Sequence, residues 1–501
     1  MSTAEIGTKI SYLKDTFEAC GDIVFKPVEI NNNTGFLIFL SEMIDHKALF
    51  EIEQGFFSYK YEQMQGKDIR SIVRERYPFS SVLESDDTKS MINEILSGRT
   101  VLLFKELDIV FSFVTTNSTS RRIDEPRTER TVRGPQEAFI ESIDTNLMLI
   151  RRKVRTPSLK VEYLTLGKQT NTKIAVVFLK GIANDDIVKE VHQRLNRIEI
   201  DGVLESQYIE SMIKDSPKSP FPTVYSTERP DKVSADLLEG KVAIFIDGTP
   251  FVLTAPALFV EFLHSSEDYY DGSLVATTIR WIRFLGLFVT LILPSFYVAM
   301  VSVHQDLLQT PLLLRLAANR EALPYPVLVE GIFLILTYEL IREAGLRMPK
   351  PLGGAIVTIL GLVLIGQATV QAGIIGPVMA IVVSVTALTS FILPNYAFHQ
   401  IIRYCGIPIL LLAGFFGFMG ILVALMFGLA HLVNLRSFGV PYSSPVSPAQ
   451  REGWKDVFIR APWWAIETRT PGVAVENVRR AGFNNYPQKP NNNDEQGGSH
   501  K

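Results

Sequence analysis

From Phe284 to about Leu435 the chain carries long apolar runs with few charges, whereas residues 1 to about 280 are dense in Asp, Glu, Lys and Arg. This division constrains the fold more than any motif, because about 20 apolar residues suffice to span hydrocarbon. A soluble module, a membrane module and a short tail follow. Composition agrees: the 501 residues are 47% hydrophobic and 21% charged, and a mean hydropathy of +0.17 is the average of two unlike halves. The expected fold class is a two-lobed α/β cytosolic amino-terminal region plus a polytopic α-helical membrane domain. Its expected parts are a first soluble α/β lobe and linker over 1–130, a second lobe over 131–275, a membrane domain of about four to six spans over 276–435, and a partly disordered tail over 436–501.

A formal net charge of −3 gives no general electrostatic reason to bind nucleic acid. Cys20 and Cys405 fall in different modules, so neither a disulfide framework nor a Cys-based metal site is expected. The opening "MSTAEIGTKISYLKDTF" lacks an apolar core of signal-peptide length, which predicts no cleaved leader and a cytoplasmic amino terminus.

Within the soluble half, "EILSGRTVLLFKELDIVFSF" (Glu94 to Phe113) and "DLLEGKVAIFIDGTPFVLTA" (Asp236 to Ala255) share an acidic-apolar lead, a Gly followed by a base, and two apolar runs about a turn. Each predicts a β-hairpin after a helix, and together they predict a pair of similar lobes. "NDDIVKEVHQRLNRI" places Ile187, Val188, Val191, Leu195 and Ile198 on one helical stripe, with Asn184 or Asp185 as cap. Such stripes are ordinarily core rather than cofactor surface. "LTLGKQTNTK" lacks the first glycine and the hydroxyl residue of a phosphate loop, and neither a nucleophile elbow nor a zinc-type His pair is present. No enzyme activity, metal or cofactor is therefore expected.

In the apolar half, Phe284 to Val303 is a first span, and Arg280 and Arg283 before it place the soluble half in the cytoplasm. Leu352 to Val370 and Ile374 to Pro394 are two more. The run from Cys405 to Val433, interrupted at "AGFFGFMG", is either one long tilted helix or two short arms, and two arms return the tail to the cytoplasm.

"VLVEGIFLILTYELI" (Val327 to Ile341) is apolar yet holds Glu330 and Glu339. Nine residues apart, they are about 900° apart around a helix, so they point to nearly opposite faces. Arg342 follows Glu339 at i+3, and a surface ion pair near the membrane boundary would suffice there. Glu330, near a helix end, faces either a polar path or a subunit contact, since an intramembrane carboxylate needs a partner or water. Gly353, Gly354, Gly361 and Gly366 allow close helix approach, while Thr358, Gln367, Thr369 and Gln371 supply either interhelical hydrogen bonds or a pore lining.

Longer stretches resemble a known family. "RGPQEAFIESIDTNLMLIRRKVRTPSL", "SPFPTVYSTERPD", "LPSFYVAM", "AANREALPYP", "LIREAGLRMPKPLGGAIVTILGLVLIGQATVQAGI" and "SFILPNY" are similar to the A subunit of GerA-type spore germination receptors over about residues 130 to 400. "GPQEAF" departs from the pattern, where many relatives place a glycine before the phenylalanine. The resemblance implies a multi-pass subunit of the spore inner membrane whose amino-terminal domain faces the core. It implies a B-type integral-membrane subunit and a C-type lipoprotein as partners, and a homo-oligomeric ring, a pentamer, that releases monovalent cations when nutrient binds. It supplies no catalytic residue. A secondary transporter and a non-conducting scaffold stay open as alternatives.

Overall fold

The computed structural model of the chain describes residues 3–30, 33–57, 81–83, 87–104, 110–116, 125–347, 361, 366–451, 453–470, 472–474, 477–482 and 485–487. Two five-stranded antiparallel sheets organise the charged half. The first contains β1 (Ile23–Ile30), β2 (Asn33–Leu40), β3 (Ser81–Leu83), β4 (Thr100–Phe104) and β5 (Val110–Phe113), in the order β1-β2-β4-β5-β3. The second contains β6 (Leu159–Leu166), β7 (Thr172–Leu179), β8 (Tyr225–Thr227), β9 (Val242–Ile246) and β10 (Val252–Ala255), in the order β6-β7-β9-β10-β8. The two orders are the same topology used twice.

Helices α1 (Thr3–Thr16), α2 (His46–Phe57) and α3 (Thr88–Leu96) belong to the first lobe; α4 (Ile143–Lys153), α5 (Asp185–Asn196), α6 (Ser206–Ile213) and α7 (Pro230–Leu238) belong to the second. Both expected hairpins are present, β4–β5 after α3 and β9–β10 after α7. At the helix ends Gly98 (φ 81°) and Gly240 (φ 94°) take the left-handed conformation that closes each turn. The repeat extends to side chains. Glu94 accepts from Arg99 at 2.9 Å and Ser112 at 2.6 Å; Asp236, at the equivalent place, pairs with Lys241 at 3.0 Å and accepts from Thr254 at 3.0 Å. An acidic helix end thus grips the hairpin that follows it, twice.

On α5, Ile187, Val188, Val191 and Leu195 are buried, and the Asn184 carboxamide oxygen caps the Asp186 N–H at 3.0 Å. The lobes share one core: Leu13, Phe17, Leu40 and Val101 join Leu147, Val161, Val177 and Phe245. Asp22 and Arg151, each 1% exposed, form a two-pronged ion pair of 2.7 and 2.8 Å across that junction.

The apolar half contains α8 (Ser273–Ser302), α9 (Thr310–Arg320), α10 (Val327–Arg347), α11 (Pro377–Ser390), α12 (Tyr396–Phe416) and α13 (Phe418–Asn434), and residues 366–371 are also helical. Among the described residues, α8 and α12 are long and apolar enough to cross a membrane; α11 and α13 are apolar but shorter. The 21 residues of α10 include five charges, Glu330, Glu339, Arg342, Glu343 and Arg347. Gly353, Gly354 and Thr358 lie outside the described residues.

One end of this bundle rests on the second lobe. Phe398 of α12 stacks on Phe262, and His431 of α13 is 2.8 Å from the Ser219 hydroxyl. At the opposite end His304, just past α8, lies against Phe418. There Gly417 (φ 61°, ψ −139°) ends α12 and starts α13, so the last apolar run is two arms. The tail then returns to the second lobe through β11 (Arg436–Ser437) and β12 (Val440–Pro441). The Ser437 hydroxyl donates to the Thr223 carbonyl at 2.5 Å and accepts from the Ala257 N–H at 3.0 Å, while the Arg469 guanidinium donates to the Leu238 carbonyl at 2.7 Å. Gly417→Val would clash with the His304 ring and force an unfavourable φ. It is expected to lose about 1–3 kcal/mol, read as a lower thermal midpoint of the detergent-solubilised chain, whereas an unchanged midpoint would mean that the turn is not held as described.

Helix α8 begins at Ser273, ahead of the Phe284 start expected from hydropathy. Arg280 and Arg283 are therefore inside a helix and buried, not free flanking charges. Arg280 pairs with Asp268 at 3.2 Å and Asp456 at 2.9 Å, and Arg283 pairs with Asp268 at 2.6 Å. Asp456 comes from the tail, 176 residues away, which hydropathy alone does not reveal.

Candidate functional site

Glu330 is 1% exposed, and its two oxygens have different partners. Oε1 lies 3.1 Å from Arg320 Nη2 at the end of α9, and Oε2 accepts the Gly376 N–H at 2.9 Å. Gly376 is the residue before α11, so the carboxylate sits at the positive end of that helix. A charge costly to bury alone is stabilised by a guanidinium and a helix terminus together.

Glu339, nine residues on, faces a different neighbour. Its carboxylate is 3.1 Å from Arg342 on its own helix and 3.1 Å from Arg403 on α12. Arg403 also lies 3.5 Å from the Tyr338 hydroxyl. The expected pair with Arg342 is present, but it is not a surface pair: α12 covers it and adds the second arginine. A cavity of about 40 Å³, lined by Thr290, Tyr338, Glu339, Thr386 and Arg403 among others, adjoins it. The nearly opposite directions expected for the two glutamates thus become contacts with α9 and α11 on one side and α12 on the other.

The third candidate group is partly described. A Cβ on Gly361 would meet Ile341 of α10 at 3.0 Å, so this position packs closely; a Cβ on Gly366 would meet no described atom within 4 Å. The Thr369 hydroxyl donates to the Gly366 carbonyl at 3.0 Å. Gln367 and Gln371, one helical turn apart, are exposed on the surface of the single chain. Glu330 is buried and Glu339 half-buried, whereas the two glutamines face outward.

Beside the bundle, the tail and the second lobe enclose a cavity of about 200 Å³ lined by Lys232, Asp236, Lys241, Glu261 and His264 among others. Burial opposes ionisation of Asp236, but Lys232 and Lys241 outweigh it and hold the carboxyl below its usual range. Burial, with the Arg280 charge second, pushes His264 well below the ordinary histidine value. For both groups the unfolded chain binds a proton that the fold resists, so stability falls as pH drops: from about 6.5 for His264 and from about 3.9 for Asp236. The thermal midpoint is expected to be lower at pH 5.5 than at pH 7.5, and His264→Gln should flatten that fall; an equal fall in the variant would remove His264 as its cause.

These features define a class: a duplicated α/β module fused through buried ion pairs to a bundle of apolar, charge-anchored helices. The pattern of the Bacillus/Clostridium GerA spore germination proteins matches residues 11–471. The chain is 38% identical to spore germination protein KA of Bacillus subtilis (strain 168) over 96% of this chain and 89% of that protein. It is 42% identical to spore germination protein B1 of the same organism, over 77% of this chain and 80% of that one. The crystal structure of the N-terminal domain of the A subunit of the Bacillus megaterium spore germinant receptor GerK3 is 33% identical, covers 50% of this chain and 94% of its own, and superposes with a TM-score of 0.39. The chain belongs to the GerA family of spore germination proteins.

Proposed function

We propose that this chain is the A subunit of a nutrient-responsive germination receptor of the spore inner membrane, which oligomerises as a pentameric ring into a ligand-gated channel for monovalent cations. Its partners in this reading are a B-type integral-membrane subunit and a C-type lipoprotein. The carrying observation is the exposure of Gln367 and Gln371, one turn apart on the helical stretch 366–371 at the end of a run that is mostly apolar in sequence. In a membrane such amides need water or a neighbouring subunit, and a ring supplies both. Two-arm geometry at Gly417 and the return of the tail to the second lobe support six crossings, with both termini on the core side. The Leu352 to Gln371 segment lines the narrow part, and Glu330 and Glu339 fix the helices around it.

Nutrient-triggered potassium and sodium release from spores tests this. Gln367→Leu and Gln371→Leu, at normal protein abundance, are expected to slow release severely. Normal release in both variants would move the ion path elsewhere and favour a scaffold or signal-relay subunit. Glu330→Gln keeps an acceptor for Gly376 but removes the charge facing Arg320, and is expected to alter release without abolishing accumulation; unchanged release would make Glu330 purely structural.

A further inference from the structure

We propose that the junction between the second lobe and the helical module binds a phosphate-bearing anion. A cavity of about 380 Å³ opens there, lined by Glu129, Arg130 and Arg229 from the lobe and by Arg342, Tyr396 and His399 from the helices, among others. Arg342 is 6% and His399 5% exposed. Arg342 uses Nη2 on Glu339, and among the described residues its Nε and Nη1 have no acceptor and His399 Nε2 has no partner. Buried polar groups normally find partners, so these mark a place for a ligand.

Charge points the same way. Arg342 and Arg403 share the single carboxylate of Glu339, which leaves one excess positive charge buried. Other groups on the cavity wall do not cancel it. Arg229 is committed to Asp231 at 2.7 Å and to the carbonyls of Glu129 and Pro135. Glu129, whose carboxylate accepts from the hydroxyls of Thr227 at 2.6 Å and Tyr225 at 3.1 Å, is the one acid among the described residues of the wall, against Arg127, Arg130, Arg229 and Arg342. Arg130 is exposed and offers a further cation. Two buried guanidinium nitrogens, which carry three N–H groups between them, an imidazole nitrogen and an outer arginine call for more acceptor oxygens than a carboxylate has, and arginine matches phosphate geometry.

A lipid headgroup and a soluble phosphate share this chemistry. The full chain, purified in detergent, distinguishes them. Native mass spectrometry reads retention of phosphatidylglycerol against a phosphate-free glycolipid; thermal unfolding with inorganic phosphate reads the soluble source. Selective phosphatidylglycerol retention, at least about tenfold weaker in Arg342→Gln and reduced in Arg130→Gln, assigns a lipid. A phosphate-dependent rise in midpoint that both variants lose assigns a soluble anion. Arg130→Gln alters an exposed side chain and so keeps the test usable where Arg342→Gln does not fold. Neither ligand binding, or variants that bind like the wild type, would overturn the proposal and leave the excess charge to a carboxylate of a neighbouring subunit.

Discussion

Arg151→Ala is expected to destabilise the charged amino-terminal half by about 3–5 kcal/mol, because it strands Asp22 as a buried charge. Asp22 leads into β1, and Arg151 stands in the last turn of α4, 129 residues away. Their bond lies where the two lobes share a core, so its loss separates the lobes as well as exposing a charge. The double variant Asp22→Leu/Arg151→Met should recover most of the stability, since apolar replacement of both partners is often neutral. Denaturant unfolding of the full chain in detergent gives the comparison. A single variant as stable as wild type, or a double variant no better than the single, would show that the pair does not hold the lobes together.

Asp268→Asn is expected to be similarly severe, about 3–5 kcal/mol, since two buried guanidiniums, Arg280 and Arg283, lose their shared carboxylate. The consequence should also be functional. Asp268 ends the lobe, the arginines lie in the first three turns of α8, and Asp456 belongs to the tail, so this network ties all three together, and under the proposed function it would couple the lobe to the helices. Reduced protein is the first expected result. The conservative Asp456→Asn, which retains the Asp268 pairs, should accumulate and shift the nutrient dependence of ion release; an unaltered response would mean that the tail takes no part in the coupling.

Much of the fold of the charged half is legible in the sequence because its signals are local. The helix–glycine–hairpin unit repeats within a few residues of Gly98 and Gly240, and the α5 stripe follows from helical spacing alone. The common strand order is less visible, since β3 and β8 are three residues each and too short to carry an alternation. Charges that work at a distance are invisible for another reason. Nothing near Glu339 in sequence points to Arg403, nothing near Arg280 points to Asp456, and a basic residue before an apolar run reads as a topogenic flank whether or not it is paired. Glu330 and Glu339 stand out because carboxylates are rare in apolar helices, but their partners emerge only when α9, α11 and α12 pack around α10. Gly417 was visible only as an interruption; its positive φ makes it a reversal.

The proposed ion path is tested most directly by recording currents across planar bilayers that contain the purified receptor complex, with nutrient added to one side. Stepwise, nutrient-dependent currents carried by potassium or sodium are expected, with a conductance that falls in Gln367→Leu and Gln371→Leu. Nutrient-dependent flux without steps would indicate a carrier, and currents identical in both variants would contradict a path lined by this helix.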